Sequence, residues 1–212
     1  MATVTTRPDT NVRTAPPRRT QQERRETTRS ALLAAALDQL MQSGLAGFTT
    51  TEVCRRAGLS QGALFKHFDT KADLLAAVIE HLFEELRGDY EAAFSALTDD
   101  QRSAASGVGL LWEQMLDPRL AAAFELYTAA RTDAVLQAAL ASVVSAHVDR
   151  IHELAASVLP HVDAERRVLA VEVALAAMQG LVINQMAVPD AAQLARARAT
   201  LDTLTVALLG DN

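Results

Sequence analysis

Gln61, Ala63, Lys66 and His67 fall within one short stretch and present an amide, a methyl, an ammonium and an imidazole. An amide donates and accepts hydrogen bonds, an ammonium attracts anions, and a methyl offers an apolar contact. That set can read a patterned polar surface. Elsewhere, His147 and His152 are five residues apart instead of four, so with Asp149 and Glu153 they make a poor helical metal site. There is no Gly-rich phosphate loop, nucleophile elbow or paired-cysteine pattern. The expectation is a protein without catalytic residues, metal or cofactor. An all-α enzyme with a cryptic site and a DNA-architectural or scaffold protein are the competing readings.

The surrounding residues decide how those side chains are held. Thr49, Thr50 and Thr51 are N-cap candidates, and Glu52 is spaced to reach back to the amide of Thr49. Val53 and Ala57 share a face, and Gly58 is suited to the left-handed conformation that ends a helix. Ser60 then caps a second short helix, Gln61 to about His67, with Leu64 and Phe68 turned inward. A second helix with small and polar outward residues, set across a tight turn from the first, fits the major groove of duplex DNA.

The run Thr-x-x-x-Val-x-x-x-Ala-Gly-Leu-Ser-x-Gly-x-Leu-Phe-x-His-Phe-x-x-Lys-x-x-Leu, from Thr49 to Leu74, resembles the TetR/AcrR family of transcriptional regulators. The resemblance implies an N-terminal three-helix DNA-binding domain, a larger helical domain that binds a small-molecule effector, and a homodimer. A symmetric dimer in turn implies a palindromic operator. Two positions depart from the family pattern: Phe65 stands where Tyr is usual, losing a hydroxyl that could donate to a phosphate, and Cys54 replaces a small Ala. As the only cysteine, Cys54 cannot form an intrachain disulfide and reads as a small buried side chain. Gln61, Ala63 and Lys66 are expected at base edges, with Thr51 and His67 beside them. Thr50, Ser60 and Lys71 are expected at phosphates. Gly62 would permit close approach, and the ring of Phe65 would meet a thymine methyl or a sugar.

Composition agrees. The chain has 212 residues, half of them hydrophobic, and its prolines beyond residue 17 stand where helices should begin or end, which predicts an all-α protein of about nine helices. The net charge of −6 hides an asymmetry. Residues 1–71 hold eleven Lys/Arg against six Asp/Glu (+5), and residues 72–212 hold nine against twenty (−11). A basic N-terminal part is the footprint of a phosphate-binding surface. Residues 1–20 read as a disordered basic arm, residues 21–71 as the DNA-binding domain (motif 49–68), and residues 72–212 as the ligand-binding and dimerisation domain. No signal peptide is expected, which places the protein in the cytoplasm.

In the first helix, Leu33, Leu37, Leu40 and Met41 form an apolar stripe, and Phe48 is placed as a staple before the next. Thr70 caps a helix from Lys71 that Arg87-Gly88-Asp89 could interrupt; Thr98 or Asp99 starts another; Asp117-Pro118 opens a third. The last helices, about 163–188 and 190–209, carry the pattern of a subunit interface: Leu175, Val182 and Met186 on one, and Leu194, Leu201, Leu204 and Leu208 on the other. Gln179, Asn184 and Gln185 interrupt the former, which argues against a membrane span. An effector pocket among the middle helices would draw on the large residues there: Phe94, Trp112, Met115 and Phe124, with Tyr127, His147 and Met178.

Overall fold

The computed structural model describes residues 20–209, apart from the side chain of Val206. The basic arm, with Arg7, Arg13, Arg18 and Arg19, lies outside the described residues. Among those described, nine helices and no strand occur: α1 (Gln21–Ser43), α2 (Thr50–Ala57), α3 (Gln61–Leu64), α4 (Lys71–Ser95), α5 (Ala104–Met115), α6 (Leu120–Ala130), α7 (Ala134–Val158), α8 (Ala164–Ala187) and α9 (Ala191–Leu209).

Local chemistry sets the first boundaries. Thr20 and Glu23 form a reciprocal capping box at α1, as do Thr70 and Asp73 at α4. Thr49 caps α2 by accepting from the amide of Glu52, and Ser60 caps α3 by accepting from that of Ala63. Gly58 ends α2 at φ 67°, ψ 31°, where a Cβ would be strained. The expected capping box at α2 does not form, because the Glu52 carboxylate accepts from Arg55 and Arg56 instead.

Around the turn, Leu32, Val53, Leu64 and Leu74 are completely buried, with Phe48 and Phe68 nearly so, which closes a small core from α1 to the start of α4. Met41 does not join its expected stripe; it projects into solvent. α3 is also shorter than expected, since its helical bonding stops at Leu64 and turns carry the chain through His67.

Beyond the head, α4 runs without interruption through Gly88, which costs on the order of 1 kcal/mol against Ala and is offset by the buried Leu82, Phe83, Leu86 and Tyr90 along the same helix. The following helix starts at Ala104 under a Ser103 cap, not at Thr98 or Asp99, which form a turn of their own with Gln101. Asp117-Pro118 makes a turn in which the Asp117 carboxylate accepts from the amide and guanidinium of Arg119, so α6 begins only at Leu120.

The body packs α4 against α7 and α5, α5 against α9, and α8 against α9. Helices α7 and α8 are long and apolar enough to cross a membrane by length and composition alone. In α8 one face, Ala170, Ala174, Leu175, Met178 and Val182, is buried in the body, and the opposite face is open. That arrangement corrects the interface assignment: Leu175, Val182 and Leu201 point into the chain's own core, whereas Met186 and Leu204 are exposed and Leu194 and Leu208 half-buried.

Candidate nucleic-acid interface

The outer surface of the α2–α3 unit is built by what its inner surface fixes. Leu64 and Phe68 are held in the core, so Gln61, Gly62, Phe65 and Lys66 stand outward and exposed, with Ala63 and His67 partly covered between them. Phe65 keeps 45% of its surface accessible, a large apolar ring left about half open to solvent. A Cβ on Gly62 would meet nothing nearer than the Ser60 Oγ at 3.9 Å. The backbone of α3 is thus open to close approach.

Gln61 is not a free amide. Its Nε2 donates to the Thr51 hydroxyl at 2.6 Å, tying the first residue of α3 to α2 and leaving the amide oxygen and one N–H for a partner. Thr50 is partly buried at the start of α2, and Ser60 spends its hydroxyl on the cap. Positive charge around this face comes from a source that motif reading missed. The guanidiniums of Arg25 and Arg29 on α1 lie close enough to His67 to add to burial in holding its imidazole pKa below the usual value. Arg29 also covers the Phe68 ring at 4.7 Å. Arg55 and Arg56 are committed to Glu52, whose carboxyl they hold down to about 2, so it is ionised near pH 7.

Lys71 is exposed but engaged: its Nζ donates to the Phe48 carbonyl at 2.9 Å and sits 5.2 Å from the centre of the Phe48 ring. It clamps the start of α4 to the loop before α2, a role its spacing did not reveal. Lys71→Met, which keeps the stem and removes the ammonium, is expected to lower stability by about 1 kcal/mol. Urea unfolding of the free protein reads that loss in the absence of any DNA.

The head meets the body at α4 and at α6, which packs on α1. In α4, Leu74, Leu75 and Val78 belong to the head core, and Phe83, Leu86, Arg87 and Tyr90 wall a cavity of about 1050 Å³, its open mouth included. In α6, Glu125 accepts from the Leu45 amide at 2.8 Å.

The cavity lies among α4, α5, α7, α8 and α9, and its lining is almost wholly apolar. Of the large residues expected there, Met115 and His147 line it; Phe94, Trp112, Phe124, Tyr127 and Met178 do not. Trp112 and Met178 are fully buried in packing, and Phe124 meets Tyr127 edge-on away from the opening. His147 stacks on Phe83 at 3.7 Å, and burial, reinforced by Arg87 and Arg150, lowers its pKa to about 4, so the ring is neutral near pH 7. The Tyr90 hydroxyl donates to the Gly107 carbonyl, and burial raises its pKa to about 12.

Comparison with known proteins agrees with this geometry. The family model "Bacterial regulatory proteins, tetR family" matches residues 32–78, the end of α1 through the first part of α4. The HTH-type transcriptional regulator Rv2912c of Mycobacterium tuberculosis (strain H37Rv) is 33% identical over 142 residues, covering 67% of this chain and 72% of the relative. A transcriptional regulator from Rhodococcus sp. Rha1 shares the fold, with TM-score 0.63 and 23% identity over 85% of this chain and 95% of that one. So does the multidrug binding protein EbrR, solved with ethidium, with TM-score 0.63 and 20% identity over 87% and 99%. The matched segment is the one whose caps, turn and core build the exposed α3, and the chain belongs to the tetR family of DNA-binding transcriptional regulators.

Proposed function

We propose that the chain works in the cytoplasm as a homodimer that represses transcription from a palindromic operator and releases it when a small molecule enters the cavity. In the reading head, Gln61, Ala63, Phe65 and Lys66 face base edges and thymine methyls, with Thr51 holding Gln61 in place and Gly62 allowing the approach. Thr50, Ser60, His67 and the ammonium of Lys71, together with Arg25, lie toward the backbone phosphates. In this reading residues 72–212 form the sensing and dimerisation domain, with α4 shared between the two parts.

The observation that carries the proposal is the continuity of α4. One unbroken helix is packed into the head at its start and forms a wall of the cavity two turns later. An occupant that displaces that wall cannot leave the head where it was. A coupling of ~1–3 kcal/mol, roughly five- to 150-fold in operator affinity, is the ordinary scale of such linkage, and the operator must weaken effector binding by the same factor. The test is selection of bound duplexes from a random pool by the purified protein, followed by titration of the winner with and without candidate effectors. A palindromic consensus whose binding falls on effector addition is expected. Selection of non-repeating sequences, or tight binding in the cavity with operator affinity unchanged, would refute the reading.

Glu125 offers a separate check on the switch. Glu125→Ala removes the link between α6 and the loop after α1 and leaves the Leu45 amide to water. Operator affinity without effector is expected to change little, about twofold, because the head core is untouched. The fold-change produced by an effector is expected to shrink, because one of the links between head and body is gone. An unaltered response would mean that the Glu125 link carries none of the signal.

A further inference from the structure

The geometry points to an amphipathic monocarboxylic acid, an aliphatic or arylalkyl body with one anionic head, as the class of effector that the cavity accepts. The inference rests on the reading of the chain as an effector-responsive regulator and names the chemistry of the same site. No Asp or Glu is among the residues lining the cavity, whereas Arg87 of α4 and Arg150 of α7 both are. A cationic occupant would find no counter-charge and two like charges.

The two guanidiniums are also underemployed. The nearest carboxylate oxygens are 3.6 Å from Arg87 Nε, on Glu91, and 3.8 Å from Arg150 Nη1, on Glu84, beyond the range of a good hydrogen bond. Those partners sit outward: about half of each carboxylate side chain is solvent-accessible, and Glu84 lines, with Glu80, a shallow cleft on the outer side of the same arginines. Arg87, 29% exposed along its side chain, and Arg150, 45% exposed, thus stand between the water-screened acids and the apolar cavity. A carboxylate arriving from the inner side meets two donors, Arg87 the better shielded from water, and a charge-assisted hydrogen bond there is stronger than one between neutral groups. His147, neutral and stacked on Phe83 beside them, can donate one further hydrogen bond without adding charge.

The rest of the cavity accepts the body. Beyond the arginines the walls are Ile151, Leu154, Val158 and Leu111, and small residues such as Gly107 and Ala170 leave the space open. An occupant that recruits Arg150 also draws it from Glu84, an ion pair that joins α7 to α4.

Three probes with one tail and different heads test the assignment on the full-length protein: decanoate, decan-1-ol and decyltrimethylammonium. Binding is followed by calorimetry and by release of operator DNA. Decanoate is expected to bind about tenfold or more tightly than either of the others, and each methylene added from octanoate to decanoate is expected to tighten binding by about fourfold. In the Arg87→Gln, Arg150→Gln double variant the preference for decanoate over decanol should shrink about tenfold, the loss falling mainly on decanoate, while retained decanol binding reports an intact cavity. Decanol or the ammonium binding as tightly as decanoate, or a double variant that keeps both decanol binding and the full preference, would overturn the head-group assignment and leave the sensing role standing. Failure of all three probes to bind would overturn the assigned ligand class, whereas the sensing role stands or falls on the operator titration.

Discussion

Gly62→Leu is expected to leave the protein folded and to abolish specific DNA binding. In the free head a side chain at this position has room, with only the Ser60 Oγ in van der Waals reach of a Cβ. Replacing Gly within a helix also gains on the order of 1 kcal/mol of intrinsic propensity, so the melting temperature should hold or rise. In the complex the same side chain would stand between the start of α3 and the groove floor. Contacts by Gln61 and Lys66, worth ~1–3 kcal/mol each for well-made base contacts, would be lost together, a fall of roughly 100-fold or more in operator affinity. Gly62→Ala should show a smaller loss of the same kind. Fluorescence anisotropy with a labelled operator, beside a thermal melt of the same sample, separates docking from stability. A folded Gly62→Leu protein that binds its operator like the parent would mean that this end of α3 faces away from the duplex.

The reading head was legible because its instructions are local. Thr49, Ser60 and Thr70 cap the helices they were expected to cap, Gly58 takes the left-handed turn, and Leu64 and Phe68 go inward. Each of these follows from the sterics and hydrogen bonding of a few neighbouring residues. Glu52 behaved differently because two guanidiniums one turn away outcompeted the cap amide for its carboxylate. The clamp made by Lys71 was invisible for a related reason: its partner, the Phe48 carbonyl, is distant in sequence and supplied by a loop. Periodicity failed in a more general way in the C-terminal helices. The spacing of Leu175, Val182 and Leu201 shows that their faces are apolar, but it does not say whether an apolar face packs on its own chain or on another. The cavity was the least legible feature, since a search for large residues looks for what fills space. The opening exists where Ala104, Gly107, Ala155, Ala170 and Ala174 leave space unfilled.

The open face of α8 carries the other large expected effect. Leu169, Val173, Ala176, Gly180, Ile183 and Ala187 follow one another at spacings of 4, 3, 4, 3 and 4 and are all exposed in the single chain. That is a heptad seam without a partner, and on α9 the exposed Leu204 adds to the apolar surface a partner could cover. If a second copy covers it, Ile183→Glu places a carboxylate in an apolar interface, where the unpaired charge costs several kcal/mol. Because Ile183 is about half exposed in the monomer, the subunit itself should remain folded. Sedimentation is then expected to show a folded 22.8 kDa species at concentrations where the parent is twice that mass. Binding to a palindromic operator should fall by roughly 10²–10⁴, the advantage that linking two heads confers when both half-sites are engaged together. Leu175→Glu, about two turns away on the same helix but on its buried face, should instead unfold the protein, and the contrast between the two variants distinguishes an interface from a core. An Ile183→Glu protein that sediments and binds DNA like the parent would remove α8 from the subunit contact and leave the open seam to some other partner.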